Sequence, residues 1–186
     1  KIVNEPYILF LGRIHPKKGI ELLIDSFKEL SYKNNKIYLV IAGSGENDYV
    51  KKIKKDVTES YLMNKIKFTG LVTQDEKLDL LKSAKLFSLI SKSDVHPRAV
   101  QEALAIGVPV VISKESDYPE VKEYNAGMIV NLNVKEVAHA FEKLLQNNDE
   151  LKILSANAKK LINEKFLAED QILKFEKTYS NMLFRK

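Results

Sequence analysis

The chain has 186 residues, 45% of them apolar and 30% charged, with a formal net charge of +5 and no cysteine. That apolar content buries the core of one large domain. The absence of cysteine excludes a disulfide frame, a thiol nucleophile and thiolate metal sites, and fits a reducing cytoplasm, while three scattered histidines offer no zinc-ligating cluster. There is no 18-residue apolar run and no charged-then-apolar leader, and the first residue is Lys1 rather than Met. The chain therefore reads as a mature or excised soluble segment.

In chain order, YILFLG (7–12), KIYLVIAG (36–43), KIKFTG (65–70), KLFSLI (85–90), VPVVIS (108–113) and GMIV (127–130) are short apolar or β-branched runs. They read as strands buried on both faces. Between them lie amphipathic stretches: GIELLIDSFKEL with Ile20, Leu23, Ile24 and Phe27 at helical spacing, then NDYVKKIKKDV, QDEKLDLLKSA and RAVQEALA. This alternation predicts right-handed βαβ units and an open parallel sheet, a Rossmann-like α/β fold of about six strands. After Val130 the pattern is helical to the end, through VKEVAHAFEKLLQ, DELKILSANAKKLINEKF and AEDQILKFEKTYSNMLF. No linker, repeat or low-complexity tract divides the chain, so one domain over 1–186 is the economical organisation. His139 is assigned to the apolar face of its helix.

The lysines recur along these helices beside Asp and Glu and read as solvated faces. Arginine is rarer: Arg13 and Arg98 each follow an apolar run closely and have a His-Pro beside them, and the third is in the terminal FRK. In an open α/β sheet, ligands bind outside the carboxyl ends of the strands, where helix N-termini present free N–H groups. Arg13, Lys17, Lys18, Ser44, Asp94, His96, Arg98 and the 113–120 segment all fall on that edge, which makes an anion the natural guest. His96-Pro97 reads as a helix start with Pro in the first helical position, leaving the amides of Arg98, Ala99 and Val100 without helical partners. Glu102, little more than one turn in, is then able to face the same crevice as Asp94. The GSGE turn (43–46) lacks the third glycine of a dinucleotide fingerprint and gives no indication of NAD.

Four segments, LGRIHPKKGIELLIDSF, VIAGSGE followed by IKFTGLV, DVHPRAVQEALAIGVPVV and PEVKEYNAGMIV, come in an order and spacing that covers nearly the whole chain. Together they resemble the carboxy-terminal, nucleotide-sugar-binding domain of a GT-B glycosyltransferase of family 4, the glycosyl transferases group 1. The resemblance implies that Arg13 and Lys18 grip the donor diphosphate, a role suited to a planar guanidinium fork and a mobile ammonium. It implies that Glu102 accepts from the ribose hydroxyls and that Asp94, where the family usually has Glu, meets the transferred sugar. Gly12 and the Gly43 turn are placed by the nucleotide, and backbone near Leu71 and Val72 along the base edge. Val95-His96-Pro97 stands where the family usually has a small Gly-aromatic-Gly stretch, so His96 and Arg98, with Ala99 beside them at the helix start, become candidates for sugar or phosphate contacts; a simple helix cap is the other reading of His96. Of the family's sugar-selecting loop only Pro119-Glu120 matches.

The resemblance further implies transfer of a sugar from a UDP-, GDP- or ADP-sugar to a hydroxyl of a glycan or lipid-linked acceptor, with retention of configuration and no cofactor or obligatory metal. Such enzymes work at the cytoplasmic face of a membrane and carry an amino-terminal acceptor-binding domain that lies outside these residues. On this reading the chain is a donor half, inactive alone. The last helical stretch, with Leu173, Phe175, Tyr179 and Leu183, either packs back toward that domain or forms a core helix. Two other classes compete. A non-catalytic nucleotide-sugar-binding or regulatory module would keep Arg13, Lys18 and Glu102. A nucleic-acid-binding domain is suggested by a pI near 9.1, but no aromatic-basic interleaving supports it and 25 acids balance the lysines, so no nucleic-acid partner is expected.

Overall fold

In the computed structural model, which describes residues 5–33 and 36–166, every apolar run forms a strand. These are β1 Tyr7–Leu11, β2 Tyr38–Ala42, β3 Ile66–Gly70, β4 Leu86–Leu89, β5 Val110–Ser113 and β6 Gly127–Val130. Helices α1 Ile20–Lys33, α2 Asn47–Thr58, α3 Gln74–Ser83 and α4 Arg98–Ile106 alternate with them. The four-residue α5 Glu120–Glu123, then α6 Val134–Gln146 and α7 Asn148–Lys165, complete the described chain.

The strands pair in parallel in the order β3-β2-β1-β4-β5-β6. This is the Rossmann-like sheet predicted from the alternation, with the direction of winding reversing between β1 and β4. Right-handed crossovers put α1 and α2 on one face and α3, α4 and α5 on the other; α6 packs on α1, and α7 on α4. Strands β1, β4 and β5 are buried along their whole length, and apolar burial of this kind contributes about 1.5–3 kcal/mol per large side chain. The edge strands depart from the expectation of two buried faces. β3 and β6 are mostly half-buried because each has a neighbour on one side only.

Local signals set the helix boundaries. Thr73 and Glu76 form a reciprocal capping box at the start of α3. Asn133 and Asn147 cap α6 and α7 by accepting from two amides each, and Gly107, at φ 87°, ends α4. His139 corrects the sequence reading. The face of α6 that packs inward carries Val137, Ala138, Ala140, Phe141 and Leu144, whereas His139 is exposed. The expectation for the last helical stretch falls on 167–186, outside the described residues. Among the described residues no helix is long and apolar enough to cross a membrane.

Candidate functional site

The segments after β1 and β2 continue side by side past the end of the sheet. The Gly12 amide donates to the Ala42 carbonyl (3.0 Å), the Ile14 amide to the Ser44 carbonyl (2.8 Å), and the Gly43 amide to the Gly70 carbonyl (2.8 Å). Ile14 and Gly45 form an isolated parallel bridge. Glycine is required at two of these places by the protein's own backbone: a Cβ on Gly43 would lie 1.9 Å from the Gly12 carbonyl oxygen, and one on Gly45 1.9 Å from that of Ile14. The resemblance sets this turn beside a nucleotide, yet the close approach that its glycines permit in the fold is between two loops.

The chain next makes a short 3-10 turn, Pro16–Lys18, capped by the His15 Nδ1, which accepts from the Lys17 amide at 3.1 Å. Gly19 (φ 64°) passes so close to the Ile90 carbonyl that a Cβ would sit 1.9 Å away. The Lys17 carbonyl accepts from the Lys92 amide (2.8 Å) and the Ser91 hydroxyl (3.0 Å). These bonds fix the basic loop against the loop after β4. Lys18 then reaches Asp94, Nζ to Oδ2 at 2.6 Å, with the two side chains only 22% and 21% exposed. The Lys17 side chain points to solvent.

A cleft of about 620 Å³ opens at the carboxyl ends of β1, β2 and β3 and along the first turns of α4. Eight of the sequence-predicted residues line it. Gly12 and Arg13 come from the end of β1, Gly43 from β2, Leu71 and Val72 from the segment after β3, and Arg98, Ala99 and Glu102 from α4. Lys18, Asp94 and His96 do not line this cavity. The expectation that Glu102 shares one crevice with Asp94 is corrected accordingly: Glu102 lines the cavity, while Asp94 turns to Lys18. Pro97 also stands one place earlier than predicted. It is the N-cap residue, and its carbonyl accepts from Val100 (2.9 Å) and Gln101 (3.3 Å), so the Arg98 and Ala99 amides precede the first helical bond and Val100 does not.

An ion pair inside the cavity was missed. Lys77, on the second turn of α3, places its Nζ 2.7 Å from the Glu102 Oε1. In the sequence it belongs to a lysine-rich amphipathic stretch that gives no local sign of this contact.

His96 takes φ 43°, a left-handed conformation costly for a residue with a Cβ. Its ring lies 4.6 Å from that of Tyr118 and 5.8 Å from that of Phe166, centroid to centroid, and its Nε2 is 3.3 Å from the Glu120 Oε2. Burial first, and the Glu120 charge second, hold the Tyr118 phenol above its usual value of 10.0, so this tyrosine stays neutral. The 113–120 segment is less open than its polar sequence suggests: Ser113, Ser116 and Tyr118 are buried, and the Ser113 hydroxyl donates to the Ser91 carbonyl.

Residues 1–161 match the family model for glycosyl transferases group 1. The chain belongs to that family. An uncharacterized glycosyltransferase of Methanocaldococcus jannaschii is 27% identical over 98% of this chain and 47% of its own length. The mannosylfructose-phosphate synthase of Agrobacterium fabrum is 32% identical over 57% of this chain and 25% of its own. The chain thus spans about half the length of the first of these relatives. Among solved structures, HepE of Anabaena in complex with UDP superposes with a TM-score of 0.87 at 21% identity, covering 97% of this chain and 50% of that one. The C-terminal domain of the group 1 family protein LpcC from Francisella tularensis superposes at 0.80 and 19% identity, covering 88% of this chain and 87% of that one. At these identities the likeness is one of fold: the Rossmann-like half of the GT-B architecture.

Proposed function

We propose that this chain is the carboxy-terminal, nucleotide-sugar-binding half of a retaining glycosyltransferase that moves a hexose from a nucleotide-sugar to a hydroxyl acceptor in polysaccharide or glycolipid assembly. The observation that carries the reading is the cleft itself, in which Arg13, the free amides of Arg98 and Ala99 and the Glu102 carboxylate converge at the carboxyl ends of the strands. A guanidinium and a helix N-terminus suit a diphosphate. The Glu102 carboxylate, one turn further along α4, suits a diol. The segment at Leu71 and Val72, which lines the cleft, suits a base edge.

In the proposed reaction the C–O bond from the sugar to the diphosphate breaks, negative charge collects on the departing nucleoside diphosphate, and the acceptor hydroxyl oxygen bonds to the anomeric carbon as its proton passes to the departing diphosphate. Arg13 stabilises that charge, and Lys18 joins it after leaving Asp94. Asp94, freed in the same exchange, meets the sugar hydroxyls or the electron-poor anomeric centre. Cationic side chains take up this charge without an obligatory metal. The acceptor, and the groups that position it, belong to a partner domain, which is why the chain alone binds nucleotide and turns over little. The match to 47% of the Methanocaldococcus relative and 50% of the HepE chain supports this division.

Calorimetric titration of the chain with UDP, GDP and ADP tests the reading. UDP is the first choice because the similar HepE structure contains it. Saturable binding of one nucleotide, weakened in Arg13→Ala at unchanged melting temperature, is the expected result. No binding of any of the three at millimolar concentration would overturn it.

A further inference from the structure

We infer that Lys77 is a specificity-determining residue, which together with Glu102 reads the ribose as a diol and discriminates ribonucleotides from their 2′-deoxy counterparts. The inference rests on the proposed role of Glu102 and extends it to a residue outside the family motif.

The geometry assigns Lys77 a place inside the cleft. Its Nζ lies 2.7 Å from the Glu102 Oε1, both side chains line the cavity, and the lysine is 20% exposed against 40% for the glutamate. The ammonium has three donors and no acceptor; the carboxylate has two acceptor oxygens and no donor. With one oxygen held by Lys77, Glu102 keeps Oε2 as an acceptor, and Lys77 keeps two N–H groups. A hydroxyl donates one hydrogen and accepts through its lone pairs. A vicinal diol seated on the pair can therefore donate to Oε2 through one hydroxyl and accept from the ammonium through the other. A lone carboxylate would take both hydroxyls as donors and leave their lone pairs to water.

Location favours the same ligand. The Lys77 amide donates to the carbonyl of Thr73, the cap of α3 (2.9 Å), its side chain lines the cavity together with Leu71 and Val72, and Arg13 comes to the same cavity from β1. A nucleoside diphosphate with its phosphates at Arg13 and its base along Leu71 and Val72 presents its ribose between them.

The test measures, on the 186-residue chain, the affinity for whichever of UDP, GDP and ADP binds most tightly and for its 2′-deoxy form. The parent is expected to prefer the ribonucleotide. In Lys77→Met that nucleotide loses affinity by about tenfold, the scale of a hydrogen bond to a charged group, while the deoxynucleotide is held as before and the preference collapses. Lys77→Arg restores most of the discrimination. If Lys77→Met weakens both nucleotides equally, or only lowers the melting temperature, Lys77 is a strut between α3 and α4 and the inference is overturned. Glu102→Gln separates the two levels: discrimination lost in Glu102→Gln but kept in Lys77→Met sinks the role of Lys77 alone, and discrimination kept in both sinks the ribose reading of Glu102 as well.

Discussion

Replacing Gly45 with Ala puts a Cβ 1.9 Å from the Ile14 carbonyl oxygen, 2.8 Å from its carbon and 3.1 Å from the Ile14 Cβ. Ordinary contact begins at 3.4 Å, so the two loops must part by about 1.5 Å, the difference between 3.4 and 1.9 Å. The neighbours are backbone and cannot rotate aside. Parting the loops stretches the 2.8 Å bond from the Ile14 amide to the Ser44 carbonyl and opens the Ile14–Gly45 bridge. Overpacking of this kind costs about 1–3 kcal/mol, and the strained hydrogen bond adds about 1 kcal/mol, for a total of roughly 2–4 kcal/mol. For a domain of this size that is a fall in Tm of about 4–16 °C. Urea denaturation followed by circular dichroism, with calorimetric nucleotide titration on the same preparation, measures both consequences, since Arg13 adjoins the displaced Ile14. Gly70→Ala is the control: Gly70 has φ 74°, but a Cβ added there would meet nothing within 4 Å, so only the left-handed strain of about 1–2 kcal/mol applies, without the clash. If Gly45→Ala keeps stability within about 0.5 kcal/mol and binds nucleotide as the parent does, the steric argument is wrong.

Arg13→Ala should cost roughly 1.5–3 kcal/mol in nucleotide affinity, read by calorimetry, with no change in Tm because the side chain is exposed; a collapse in Tm would make Arg13 structural. Glu102→Gln should weaken nucleotide binding more than Glu120→Gln, because Glu102 lines the cleft whereas Glu120 faces His96; equal losses in titration would mean that the ribose is misplaced. Alkaline stability follows from the phenols. Burial raises Tyr7, Tyr49 and Tyr118 above 10.0 in the fold, so each contributes stability that is fully present below the unfolded value and lost as pH rises through the folded one. Unfolding monitored by circular dichroism should therefore set in above about pH 10 and move upward in Tyr118→Phe; an unshifted transition would show that ionisation of Tyr118 is not what opens the fold. His96→Gly should relieve the φ 43° strain but remove the ring contacts with Tyr118 and Phe166, and a net loss in Tm is expected; a gain would mean that the strain outweighs the packing.

The sheet was legible because each strand is a short apolar run between amphipathic stretches, and the period of the pattern changes where the element does. The cleft was legible in part, through residues such as Arg13 and Glu102 that stand at strand and helix ends, where topology alone aims them at one edge. Lys77 was not, since its partner is 25 residues away and a lysine on an amphipathic helix looks the same whether it meets water or a carboxylate. His139 was misread because it lies between two buried alanines, Ala138 and Ala140, and one helical step turns a side chain by roughly 100°. The GSG turn showed that backbones come close there, but sequence carries no record of which backbone, and only the fold reveals that Gly12 and Ile14 are the neighbours.

On the proposed reading, the short Lys18–Asp94 ion pair supplies a selectivity that no wall provides. Lys18 is occupied by Asp94, so that carboxylate is a resident competitor for the cation that an incoming anion would seek. Tethered groups compete at an effective concentration on the order of millimolar or more. A stray inorganic phosphate at lower concentration gains little by displacing it. A donor that brings a diphosphate and a sugar at once gives Lys18 a new partner and the released acid a hydroxyl in return. On that reading the chain carries its own stand-in for the anion, which screens out small ions by rivalry rather than by shape.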